Sequence, residues 1–234
     1  MSVETSVPRR LPLWLLAGLC LLPAAQTGVA VWLAWHPEIT YPAMKLAMIA
    51  APLLVWWYER RPRGELFADI GCTRTRLLPG TVLGLLMAGV ILGAYYGVLR
   101  ARIDPAPVAA KIRELGVAGH YWLAAIALSL GNSAFEEYYW RAFLVGQWRQ
   151  RIRRPVVVIV LGGVLFGLHH IFAMASAFGG PLVVLGVGGT MLAGAAWTWL
   201  RVRGGSIWDC WLSHILADLA IVWVGYDLLR RAGG

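Results

Sequence analysis

Ionisable side chains interrupt three apolar stretches of this chain. They are Glu136, Glu137 and Arg141 in SAFEEYYWRAFL, His169 and His170 in LFGLHHIF, and His214 and Asp218 in WLSHILADL. A charge near a bilayer centre costs about 2.5 to 3.5 kcal/mol, so each needs a structural or a chemical reason. A carboxylate and an imidazole facing one water form a general base pair, while a further group steadies the developing oxyanion. Hydrolysis is the chemistry this residue set suits.

Helical spacing sorts the groups. Glu137 and Arg141 are four apart with the acid first, so they stack on one face and neutralise each other. Glu136 is turned about 100 degrees from Glu137 and has no evident partner in its own helix. Phe166 shares a face with His170, and His214 with Asp218, where a carboxylate can orient an imidazole. His169 reads as a structural histidine and Trp140 as a packing or interfacial residue. Ionisable groups from three segments at membrane depth predict one shared buried site.

The elements that must position these groups follow from composition. The chain of 234 residues is 59% hydrophobic and 14% charged, with 13 Trp and a mean hydropathy of +0.64. A soluble domain of this length could not hide so much apolar surface, whereas a bilayer solvates apolar helices of about 20 residues directly. An all-α polytopic transmembrane bundle of about seven to eight helices is predicted. It is a single compact membrane domain, with helices and an interfacial linker over 1–120 and the catalytic core over 121–234. Seven segments are long and apolar enough to span: 11–35, 41–58, 78–99, 121–147, 156–178, 181–200 and 206–229.

The formal charge of +9 does not imply a nucleic-acid partner, because the Arg residues cluster between apolar segments as topology signals. Thirteen cations fall on one side: Arg9, Arg10, Arg60, Arg61, Arg63, Arg74, Arg76, Arg149, Arg151, Arg153, Arg154, Arg201 and Arg203. Six fall on the other: Arg100, Arg102, Lys111, Arg113, Arg230 and Arg231. The N-terminus is therefore predicted cytoplasmic, and an odd number of crossings places the C-terminus outside. The first segment is expected to be an uncleaved span, and AAKIRELGVAGHYW to lie along the interface. Gly89, Gly93 and Gly97 predict close helix approach in the third span. Cys20, Cys72 and Cys210 show no metal-ligand spacing and read as packing residues.

The three motifs in order, EExxxR at Glu136, Glu137 and Arg141, FxxxH at Phe166 and His170, and HxxxD at His214 and Asp218, resemble the CPBP family. This is the CAAX protease and bacteriocin-processing, or ABI, family of intramembrane proteases. The resemblance covers roughly 121–225 and implies a glutamate-dependent intramembrane endopeptidase. It implies that Glu136 activates water with help from His170, that His214 and Asp218 take the oxyanion side, and that Glu137 with Arg141 supports the site. Two departures are Asp218, where the prenyl-protein proteases have Asn, and the doubled His169, which competes for the place given to His170.

The expected site carries no cofactor. Zinc held by Glu136, His170 and His214 is the alternative, disfavoured because neither HExxH nor a cysteine set is present. Serine, aspartyl and site-2 types lack their motifs here. Prenylated CAAX proteins, bacteriocin-like leaders and C-terminal sorting tails are the substrate classes the family suggests, and protein sorting or peptide maturation in a bacterial-type cytoplasmic membrane is the expected role. The partners are then the lipid bilayer and a membrane-anchored or lipidated protein or peptide. Two other readings stand beside this one: a non-catalytic binding or bacteriocin-immunity protein on the same fold, and a proton-coupled transporter, although the latter calls for an inverted repeat that the sequence does not show.

Overall fold

A computed structural model describes residues 10–62 and 77–233. The described residues form eight helices and no strand. They are α1 (Leu13–Trp32), α2 (Pro37–Tyr58) and α3 (Leu77–Leu99), α4 (Pro105–Glu114), α5 (121–149), and α6 (Pro155–Ala177), α7 (Gly180–Val202) and α8 (Ile207–Arg231). Six of these, all but α4 and α5, are long and apolar enough to cross a membrane. The fold is the polytopic helical bundle expected from composition. α5 is long enough as well, and it is set apart by the three charges at its centre.

Local chemistry fixes the helix ends. Asp104 caps α4 by accepting the amide of Ala106, and Pro105 occupies the first turn, where its missing N–H costs nothing. Pro155 does the same for α6. Gly204, at φ 95°, turns the chain after α7. Ser206 and Asp209 then cap α8 reciprocally. Cys20 is partly buried and Cys210 is buried, both as free thiols, while Cys72 lies outside the described residues.

Helix α5 is the axis of the bundle. Arg141 is buried, as are Tyr139, Trp140, Leu144, Val145 and Trp148, which pack with Leu11 just ahead of α1, with Leu16, Met48 and Val55 of α1 and α2, and with Phe166 and Trp197 of α6 and α7. Glu59, at the end of α2, accepts from Gln147 Nε2 at 3.0 and 3.1 Å and from the Leu11 amide at 3.3 Å. Arg151 donates to the Leu11 carbonyl at 2.7 Å. One end of α1, α2 and α5 is thus tied by a polar clasp, which satisfies groups that would be costly to leave unpaired. At the far end of α3 and α8, Asp227 accepts from Tyr95 at 2.6 Å and Arg100 at 3.0 Å.

Two close helix pairings complete the frame. α6 and α7 meet where a Cβ on Gly163 would come within 2.7 Å of the Met191 carbonyl, and one on Gly194 within 2.6 Å of Phe166 Cβ. α3 meets α8 at Gly80 and Gly84, where an added Cβ would lie 2.2 Å from the Asp209 carbonyl oxygen or 2.9 Å from Ser213 Cα. This corrects the expectation for Gly89, Gly93 and Gly97, which have nothing within 4 Å of such a Cβ. Gly89 is nine residues beyond Gly80, about half a turn out of phase at 3.6 residues per turn. Its stripe therefore points away from α8.

Candidate active site

Both glutamates sit in one α-helical turn, Ser133–Glu137, between two wider π-helical segments, Leu128–Asn132 and Tyr138–Leu144. π segments inside α-helices recur at functional sites, because the extra residue re-aims side chains that a regular helix would spread over several faces. Here both carboxyls point inward, Glu136 being 6% exposed and Glu137 1%.

Glu137 is the hub of a buried relay. Arg141 Nη1 stands 3.2 Å from its Oε1, and His214 Nδ1 donates to the same oxygen across 2.9 Å. The Arg141 guanidinium donates from Nη2 to the Gly194 carbonyl at 3.3 Å. Its Cζ lies 4.5 Å from the Phe166 ring centroid and 5.1 Å from that of Trp197. A cation so enclosed is held by its counter-ion and by aromatic faces together.

His214 thereby presents Nε2 to the remaining acids. That atom is 3.8 Å from Glu136 Oε2 and 3.6 Å from Asp218 Oδ1. Both distances exceed a direct hydrogen bond. The ring is oriented by Glu137 rather than by Asp218, the neighbour one turn along its own helix. Trp197 stacks on it with centroids 4.1 Å apart and anchors its own indole N–H on Ser213 Oγ at 2.9 Å.

Glu136 does have a partner in its own helix: Asn132 Nδ2 donates to Oε1 at 2.7 Å. The other oxygen, Oε2, is buried without a hydrogen bond from any described residue. Across from it, α6 brings both histidines. His169 Nε2 is 3.7 Å from Glu136 Oε1, and Thr27 of α1 donates to the His169 carbonyl at 2.6 Å. His170 Nδ1 meets the Phe166 carbonyl at 2.9 Å. A carbonyl only accepts, so Nδ1 carries the proton and Nε2 of the neutral ring is left with a lone pair. Phe166 packs edge-on against both His169 and His214, with centroids 4.9 and 5.9 Å away.

The sequence-predicted residues Glu136, Glu137, Arg141, Phe166, His169, His170, His214 and Asp218 are thus gathered at one place from α5, α6 and α8. Asn132 and Trp197 were missed. Asn132 carried a signal, since it lies four residues before Glu136, while Trp197 is distinguished from Trp199 only by packing. Among the described residues, Glu136, His169 and His170 each offer a ligand atom, all within 4.8 Å of one another. That set could hold a metal ion, with His169 in place of the His214 of the zinc alternative.

A polytopic helical bundle enclosing carboxylates and imidazoles defines a membrane protein with a buried polar centre. Residues 118–220 match the model of the family described as type II CAAX prenyl endopeptidase Rce1-like. The three motifs lie inside the matched stretch, and the family they resemble is the one matched. None of the curated proteins and none of the solved structures matches the chain.

Proposed function

We propose that the chain is a glutamate-dependent endopeptidase that cleaves membrane-anchored or lipidated proteins or peptides during protein sorting or maturation. The observation that carries this is the meeting of Glu136 on α5 with histidines from α6 and α8, inside a family match that implies proteolysis. Glu136 Oε2 takes a proton from water, and His170 Nε2 accepts a hydrogen bond from the same water and aims it. The hydroxide adds to the scissile carbonyl carbon. His214 and Asp218 face the oxyanion, and the amide C–N bond breaks as Glu136 returns its proton to the leaving nitrogen.

Hydrogen-bond bookkeeping constrains His214. With Nδ1–H directed at Glu137, the ring donates to an oxyanion through Nε2 only when both nitrogens are protonated. Asp218 likewise donates only as the neutral acid and otherwise balances the charge of the imidazolium that Glu137 orients. A metal at Glu136, His169 and His170 would supply Lewis acidity to the same oxygen atoms; the metal-free route is the reading preferred here. The cell-level expectation is an integral protein of a bacterial-type cytoplasmic membrane with its N-terminus in the cytoplasm.

The test is processing in intact cells, comparing wild type with Glu136→Gln at matched membrane abundance and following membrane-anchored proteins by mass. Precursors accumulating in the mutant alone support the proposal and name the substrates. If the mutant is silent while deletion of the protein has a phenotype, catalysis is the wrong reading.

A further inference from the structure

Among the described residues, two cations sit at the middle of a long helix, Arg141 and Lys45. Arg141 is neutralised by Glu137. Lys45 has no carboxylate within ion-pairing distance among the described residues, and its Nζ lies 5.8 Å from the centroid of the Tyr41 ring. It is the ninth residue of α2, about 12 Å along that helix at 1.5 Å per residue. An unpaired ammonium at that depth is expensive and calls for a partner.

The helix points Lys45 inward. Met48, Pro52, Val55 and Glu59 are the buried residues of α2 and its cap, and their spacing of three and four marks one face. Continued backward, that face reaches Lys45. The stretch is fixed on both sides: Gln26 of α1 donates to the Tyr41 carbonyl at 3.3 Å, and Tyr138, next to Glu137 in α5, donates to the Ile49 carbonyl at 3.3 Å. Lys45 is half-buried there and feels the charge of Glu136. The acids of the site are engaged elsewhere, Glu136 with Asn132 and the imidazoles, Glu137 with Arg141 and His214, and Asp218 beside His214.

We propose that Lys45 is a substrate-binding residue that holds the free C-terminal carboxylate of a short peptide tail while the bond ahead of that tail is cut at Glu136. The inference rests on the protease reading above and narrows its substrate. A peptide entering an apolar bundle brings an anion of its own at its C-terminus. Three extended residues span about 10 Å, so the carboxylate of a short tail stays near the scissile bond, and that of a long tail does not. A C-terminal CAAX sequence, Cys followed by three residues, has this form, which agrees with the description of the matched family.

The experiment uses the full chain in lipid nanodiscs with a farnesylated peptide ending in Cys and three aliphatic residues, made as the free acid and as the C-terminal amide. Wild type is expected to favour the acid by about 10- to 100-fold in KM, the range for a hydrogen bond to a charged group. Lys45→Gln is expected to raise KM for the acid to that of the amide, with kcat retained and the amide unaffected, and Lys45→Arg to restore part of the preference. Equal cleavage of acid and amide by wild type overturns the inference, a result that stands even if Lys45→Gln fails to fold. A loss in Lys45→Gln equal for both peptides also overturns it, assigning Lys45 to charge balance for Glu136. If wild type cuts neither peptide, the short-tail substrate is wrong and Lys45 has no such role. If Glu136→Gln cuts as well as wild type, the glutamate mechanism fails instead, and the acid-to-amide ratio still judges Lys45.

Discussion

His214 reaches Glu137 through Nδ1 across 2.9 Å, and this contact turns Nε2 toward Glu136 and Asp218. Two adjacent glutamates therefore have different parts. Glu137 orients and neutralises through Arg141 and His214, while Glu136, held by Asn132 at Oε1, faces Nε2 of His214 with Oε2 and Nε2 of His169 with Oε1.

Removing Glu137 strands Arg141, which is 1% exposed. Breaking a buried pair costs about 3 to 5 kcal/mol, whereas replacing both partners by apolar residues is often neutral. Glu137→Leu should lower the thermal unfolding midpoint sharply, and Glu137→Leu with Arg141→Met should recover much of it. Cleavage should stay depressed by about 10- to 100-fold in both, because His214 has lost its orienting acceptor. Equal activity in the double variant and wild type would show that the relay is structural alone.

His214 predicts a pH limb. Donation through Nε2 requires both ring protons, so kcat should fall as rising pH deprotonates the ring, and His214→Gln should show a low rate without that limb. The profile of kcat against pH in the two proteins decides it.

The adjacent histidines separate by variant. Nε2 of His170 is the one with a fixed lone pair, so His170→Ala should lower kcat by at least about 100-fold, within the usual range for general base assistance. His169→Ala should cost less, since Asn132 still holds Glu136. Dialysis against a chelator should leave wild type active. One zinc per chain by elemental analysis, lost in both His169→Ala and His170→Ala, would instead favour the metal set.

Glycine substitutions test the α3–α8 contact. Gly80→Ala drives a Cβ to 2.2 Å from the Asp209 carbonyl oxygen and should destabilise the protein, while Gly89→Ala meets nothing and should leave the unfolding midpoint unchanged or higher. A fall for Gly89→Ala would place a neighbour on that face.

Apolar content and helical spacing by themselves determined the class of fold, the positions of the long helices and the residues worth suspecting. A bilayer admits few spanning structures, and a charge in an apolar run is conspicuous. Tertiary structure decided the pairings. Four-residue spacing suggested Asp218 as the orienter of His214, yet Glu137 does this from another helix. Spacing also left Glu136 alone in its helix, yet the π segments around Ser133–Glu137 and the amide of Asn132 fix it. The inward phase of Lys45 and of Gly80, and the choice of Trp197 over Trp199 against His214, likewise depend on how each helix is rotated about its axis. Rotation is set by packing between helices distant in sequence, which a single chain's periodicity does not encode.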